Sequence, residues 1–437
     1  MNSNNQETEP SRREFLRNSM ALGALATSTG VFAAGGDTIR VGMIGSGGRC
    51  TQAAEQALYA DRGARLVAIA DIVKARIQES RQALKIKYPD QVAVDDDHCF
   101  TGFDAYKHVI ESVDVVLIAN AAKFHPLHAM AAIQAGKHVF VEKPHAIDPA
   151  GVKVIRAAAA LAKEKKVSLL SGLQSRYKPG YRECVQRIHD GAIGDVVAIQ
   201  ETWVREAYGV RPDTPGLTEV EYQASHQYRF HWLCGDDVPQ TLIHNLDRSR
   251  WVMREQSPVK CFGMGGRSSV HGREYGSVFD HHAVVYQFEN GVRLYAFCRA
   301  ADNCYGENSS IILGTKGRAF VVQMRIEGEN PWRYNGPNTS ADPLTNPYQV
   351  EHTEFFKGIR SGNLINSGHY MADSTLTGVM GQLSCYTGKE ATWAQASASD
   401  FYYAPKPEEV RAGMEPPVKP DADGIYPVYI PGVTKLL

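Results

Sequence analysis

Charge of one sign is what this 437-residue sequence lacks: 47 Lys and Arg face 48 Asp and Glu. No net field therefore recruits nucleic acid or an anionic membrane, and no basic tract with interleaved aromatics appears. Long apolar runs are missing as well. Ser19 to Ala34 carries no charge, but it is too short and too rich in Gly, Ser and Thr for a comfortable membrane span. The eight cysteines stand apart, with no C-x-x-C pair and no zinc spacing. That argues against a disulfide framework, leaving one or two bridges open, and no metal is expected. No internal repeat is visible. What is present, 43% apolar and 22% charged residues, is ordinary for a soluble globular chain long enough for two domains.

The first feature with meaning is "SRREFLRNS" (11–19), twin arginine just ahead of the short uncharged segment. This reads as a twin-arginine export signal, residues 1–36, and predicts a periplasmic or otherwise exported protein. Such a route carries proteins already folded, often with a cofactor inside.

From residue 37 the pattern changes. "IRVGMI" alternates into the turn Gly45-Ser46-Gly47-Gly48-Arg49, and "TQAAEQALYA" follows at helical spacing. Strand, glycine turn and helix in that order form a dinucleotide site. Gly45 permits the turn, Gly47 lets the backbone approach a pyrophosphate, and the helix N-terminus offers N–H groups. Cys50 stands at the third fingerprint position, where Gly or Ala is usual. A second strand, "ARLVAIAD", ends in Asp71, placed to accept ribose hydroxyls and repel a 2′-phosphate, which favours NAD over NADP. Asp71 can equally cap the helix after it, and both can hold at once. Strands and helices then alternate through "VDVVLIAN", "KHVFVEK" and "VSLLSGL", predicting a doubly wound parallel sheet over residues 37–173.

"VFVEKPHAID" places Glu142-Lys143-Pro144 at the carboxyl end of a buried strand, where open α/β sheets hold their ligands. Partial burial lowers an ammonium pKa and suits Lys143 to donate or relay a proton. The glycine turn, "HPLHAMAAIQAGKHVFVEKP" and the order of elements resemble the family of glucose–fructose oxidoreductase, inositol dehydrogenase and rhizopine catabolism proteins (Gfo/Idh/MocA). The resemblance runs from about Asp37 into the 380s. It implies a Rossmann domain followed by an α+β domain with an open, mainly antiparallel sheet covering the substrate. It also implies that Lys143 contacts cofactor and substrate, that Asn120 and His125 lie along the cofactor with Glu142, and that the chain packs as a dimer or tetramer.

In "GDDVPQTLIHNLDRSRWVM" (235–253), helical spacing would turn Gln240, His244 and Asp247 into one cleft. The matching family motif has Asp where this chain has Gln240. That leaves His244 as the base and Gln240 as a hydrogen-bond anchor. Arg176 and Tyr177, in "LQSRYKPGY", could hold sugar hydroxyls or merely cap the interdomain interface. "FDHHAVVYQFENGVRLYAFCRA" reads as a β-hairpin whose neighbouring His281 and His282 face opposite sides, a poor metal pair. The second domain is expected over 174–395, and the proline-rich tail, 396–437, extended along the surface or towards a neighbouring subunit.

Two reactions fit the resemblance. In the first, an NAD-dependent dehydrogenase oxidises a ring hydroxyl of a sugar or glycoside, with His244 taking the proton and Lys143 orienting and polarising the forming carbonyl. The alternative resembles family 109 glycoside hydrolases, which oxidise transiently, eliminate and re-reduce. Against it, no segment like "YPTH" precedes the hairpin. Export favours a tightly held NAD in either case.

Overall fold

The computed structural model describes residues 38–209 and 214–436. The expected export signal lies outside the described residues. Six parallel strands form the first sheet: β1 (Ile39–Ile44), β2 (Ala64–Asp71), β3 (Cys99–Thr101), β4 (Val115–Ile118), β5 (His138–Val141) and β6 (Leu169–Ser171). Their spatial order, β3-β2-β1-β4-β5-β6, reverses direction beside β1, and ligands of doubly wound sheets sit at that switch point. Strands β4 and β5 are buried along their whole length, as both-sided coverage by helices requires.

The second sheet has nine strands: β7 (Val196–Arg205), β8 (Lys260–Gly266), β9 (His281–Gln287), β10 (Arg293–Ala300), β11 (Glu307–Gly314), β12 (Gly317–Phe320), β13 (Arg325–Gly328), β14 (Trp332–Arg333) and β15 (Ala391–Thr392). Every pairing in it is antiparallel except β7 with β10. The hairpin of β9 and β10 pairs Gln287 with Arg293 around the turn. The fold is thus a parallel Rossmann sheet followed by a mixed, mostly antiparallel one.

Two details cut across a simple division at residue 173. The late helix Pro347–Ser361 returns to the first domain, where Phe355, Phe356 and Ile359 share one core with β1 and the helix Gly48–Ala60. The tail runs mostly exposed and irregular, as expected of a surface segment, but four side chains anchor it. Tyr403, Val410, Val418 and Tyr426 are buried, because the side chains between the prolines pack back on the chain's own core. Lys123 Nζ donates to the Tyr403 carbonyl at 2.5 Å, and Asp148 accepts the Tyr403 amide at 3.2 Å. All eight cysteines are free, and no described helix is long and apolar enough to cross a membrane.

Candidate active site

A groove runs along the carboxyl ends of β1, β2 and β4. Gly45 has φ +93°, and a Cβ there would press on the Ala119 carbonyl and the Asn120 backbone at 3.0 Å. A Cβ on Gly47 or Gly48 would instead project into empty space beside the groove both residues line. Gly47 caps the helix Gly48–Ala60 without any side-chain bond, so the first-turn N–H groups stay available to an anion. Cys50 fits the third position because it is fully buried, its sulfur 3.9 Å from the Ile44 carbonyl oxygen and 3.7 Å from that of Leu117.

Asp71 lines the groove and is held rigidly. One oxygen accepts the Ser46 amide at 2.7 Å and its hydroxyl at 3.0 Å, and the other accepts the Val73 amide at 2.9 Å. The N-cap of the following helix is Val73 rather than Asp71. Arg49 also lines the groove; its guanidinium stacks on Tyr348, and Nε lies 3.1 Å from Glu142 Oε1. Glu142 is spent on that pair and on the Lys143 amide, 3.0 Å from Oε2. Asn120 faces the groove with a buried Oδ1 that has no hydrogen-bond partner among the described residues. An unsatisfied acceptor and an uncapped helix N-terminus fit a bound dinucleotide.

His125 is displaced from its expected place. Its ring is buried between the Pro144 carbonyl, 2.7 Å from Nδ1, and the Asn120 carbonyl, 3.1 Å from Nε2, where it braces the chain. Burial lowers its pKa to about 4. One helical turn on, His128 takes the groove position, stacked on Tyr106 at 4.2 Å. Sequence reasoning also missed the opposite wall, Tyr208, Gly209 and Ala224–Arg229, for which no motif gives a signal.

Lys143, joined to Pro144 by a cis peptide, donates from Nζ to the Gln240 carbonyl at 2.6 Å, tying the two domains together. Burial lowers its pKa, while Glu142 and Asp237 work against that shift. Around Gln240 the chain departs from the expected regular helix: Val238–Leu242 is a π-helical turn, followed by the α-helix Ile243–Val252. The wider turn alters the spacing between Gln240 and His244, and Gln240 lines a second, smaller cavity that neither His244 nor Asp247 lines. This cavity shares Tyr208, Tyr228 and Arg229 with the groove. His244 is buried against Trp203, ring centres 5.5 Å apart, and its Nδ1 has no hydrogen-bond partner among the described residues. Burial, then Lys143, Arg248 and His145, hold its pKa well below 6.5.

Asp247 points elsewhere. It accepts from Arg176 Nε and Nη2 (2.8 Å for the latter) and from the Ser374 hydroxyl at 2.7 Å. Arg176 also pairs with Glu255 at 2.6 Å and stacks on Tyr370, while Tyr177 is buried beneath Arg182. Arg176, Tyr177 and Asp247 therefore form a buried interdomain pin rather than a sugar site. A further buried carboxylate, Glu201 on β7, accepts from Ser310, Ser249 and Asn245 at 2.6, 2.7 and 2.9 Å and anchors the His244 helix. Burial raises its pKa to about 7.

With this geometry in place, residues 39–172 match the model of the oxidoreductase family with NAD-binding Rossmann fold, GFO_IDH_MocA. The first domain is a Gfo/Idh/MocA oxidoreductase domain, and it binds NAD. The chain is 27% identical to myo-inositol 2-dehydrogenase of Thermotoga maritima over 338 residues, 74% of this chain and 89% of that one. It is 26% identical to inositol 2-dehydrogenase of Salmonella typhimurium, covering 84% of this chain and 99% of the relative. Among solved structures, scyllo-inositol dehydrogenase from Lactobacillus casei with NAD(H) and scyllo-inositol aligns with TM-score 0.60 and 20% identity, over 82% of this chain and all of that one. Levoglucosan dehydrogenase with NADH and levoglucosan aligns with TM-score 0.62 and 17% identity, over 82% and 99%. At such identities the Gfo/Idh/MocA-type likeness to solved structures is one of fold.

Proposed function

We propose that this Gfo/Idh/MocA-type oxidoreductase removes a hydride and a proton from a ring hydroxyl of a sugar, glycoside or related polyol. The supporting observation is the contact of Lys143 with Gln240, which sets a buried ammonium beside a residue of the small cavity that shares Tyr208, Tyr228 and Arg229 with the nucleotide groove. NAD in the groove supplies the hydride acceptor. His244, kept neutral by burial and by Lys143, takes the hydroxyl proton. Lys143 orients the same oxygen and stabilises the charge that develops on it as the carbon becomes a ketone. The relatives named for inositol and levoglucosan point to the same substrate class.

The test is to purify the protein without added NAD and mix it with polyols and aryl glycosides, following NADH and released phenol together. NADH rising towards one equivalent per site without phenol is the expected result. Phenol released over many turnovers with no net NADH would replace oxidation by the glycosidase alternative, which no observation of the site favours.

Two extensions belong to the same reading. The twin-arginine leader directs export of the folded, NAD-loaded protein, and replacing Arg12 and Arg13 by Lys should leave it in the cytoplasmic fraction. The chain also forms a homo-oligomer through the second sheet, whose outer face exposes Phe262, Met264, Tyr295 and Phe297. Light scattering giving the monomer mass would overturn that assembly.

A further inference from the structure

Asp237 has a feature that the hydride-transfer reading leaves unused. Its side chain lines the second cavity beside Gln240 and is buried, at 6% exposure. Oδ1 accepts from Arg205 Nη2 at 2.8 Å and from the Thr241 hydroxyl at 2.5 Å. Oδ2 is buried and, among the described residues, has no hydrogen-bond partner. A carboxylate oxygen left in that state is costly, and such groups are retained where something else supplies the donor.

The surroundings fix where that donor must come from. Tyr208 lays its ring over the Arg205 guanidinium, 3.9 Å away, and its hydroxyl is 3.1 Å from Thr241 Oγ1. Arg205 and Thr241, the latter braced by Tyr208, thus lock the carboxylate through Oδ1 and leave Oδ2 without a donor among the described residues. Arg229 lines the same cavity and, among the described residues, makes no ion pair; it donates to the Tyr208 carbonyl. The cavity therefore presents an acceptor and a cationic donor next to tyrosine rings. That set matches a polyhydroxylated ring, whose hydroxyls both donate and accept. Asp237 is also close enough for its charge to act on Lys143.

We propose that Asp237 Oδ2 accepts a second hydroxyl of the substrate ring, not the one being oxidised, and so selects polyols carrying a hydroxyl at that position. This rests on the oxidoreductase reading of the same site. The substrate oxygen held at Lys143 reacts; the one held at Asp237 aligns the ring and gives specificity. Asp237 neither gains nor loses a proton in the reaction.

The experiment takes the best polyol substrate and its single-deoxy analogues, with wild type and Asp237→Asn. On wild type, one deoxy analogue other than that lacking the reacting hydroxyl should lose about 10- to 100-fold in kcat/KM, the worth of a hydrogen bond to a charged group. On Asp237→Asn that penalty should largely vanish, while bound NAD and thermal midpoint stay near wild type. Equal losses for the parent and every analogue, or an unchanged variant, would overturn the assignment. If Asp237→Asn does not fold, Thr241→Val, which frees Oδ1, must reduce the same penalty, and failure to do so sinks the idea. A wild type that reduces its NAD with no polyol would defeat the underlying oxidoreductase reading instead, and Asp237's role with it.

Discussion

Lys143 Nζ lies 2.6 Å from the carbonyl oxygen of Gln240, so the lysine at the end of β5 is gripped by the other domain's π-helical turn. The grip explains how a flexible side chain is held in one place without an acidic partner on Nζ. A backbone carbonyl accepts one ammonium hydrogen and leaves two donors for a ligand.

Removing the ammonium while keeping its bulk isolates its part in the chemistry. Lys143→Met should lower kcat/KM by about 10²- to 10³-fold, as loss of one preorganised donor at a developing oxyanion does. Bound NAD should remain, because the Gly47 and Gly48 cradle is untouched. Steady-state kinetics beside the NAD content of the purified variant decide this; kcat/KM within threefold of wild type would remove Lys143 from the mechanism.

The pH profile of kcat/KM should report the two buried bases. His244 works neutral, and its pKa is held well below 6.5, so activity should persist below pH 6.5 before its acid limb begins. Lys143 works as an ammonium, and burial lowers its pKa from 10.5, so the alkaline limb should fall below that value. His244→Gln should abolish the acid limb along with most of the rate. An acid limb at 6.5 or above would contradict the buried, unpartnered imidazole.

Arg176 and Asp247 call for a stability measurement. Asp247→Ala strands a guanidinium that is nearly enclosed and leaves Ser374 unpaired, so unfolding should become easier by about 3–5 kcal/mol. The substrate KM of the surviving folded protein should hardly change. A large KM effect with little loss of stability would return the pair to the substrate site.

How far the site could be read ahead depended on whether a residue's role is local in sequence. Gly45, Gly47, Gly48 and Asp71 follow one another through a single strand–turn–helix unit, and the chain's own periodicity places them on the groove. His125 and His128 differ by less than one helical turn, and only tertiary contacts with Pro144 and Tyr106 decide which faces the cofactor. The wall from Ala224 to Arg229 has no periodic signal of its own. Asp237 and Gln240 were obscured by the π-helical turn, since a single widened turn rotates every later side chain. Arg176 with Asp247 shows the opposite limit: two charges 71 residues apart read as ligand binders until each is seen to bind the other.

Acid should destabilise the protein from about pH 6.5 downwards. His125, His138 and His231 have pKa values lowered to about 4, His128, His145 and His352 to about 3, and His244 is well below 6.5, all chiefly through burial. Unfolded, each takes up its proton near pH 6.5. Below that pH the unfolded chain therefore binds protons that the folded one refuses, and stability falls as pH drops from 6.5 towards 4. Three buried carboxyls act in the opposite sense: Glu201, raised to about 7, Glu351, raised well above 4.5, and Asp148, also raised by burial, bind protons in the folded state first. The lowered histidines outnumber the raised carboxyls, so on balance unfolding takes up protons below pH 6.5 and stability falls towards pH 4. Denaturant midpoints measured at intervals from pH 7.5 to 4.5 should hold above about pH 6.5 and fall below it, and a flat series would mean that these histidines are solvated in the native protein.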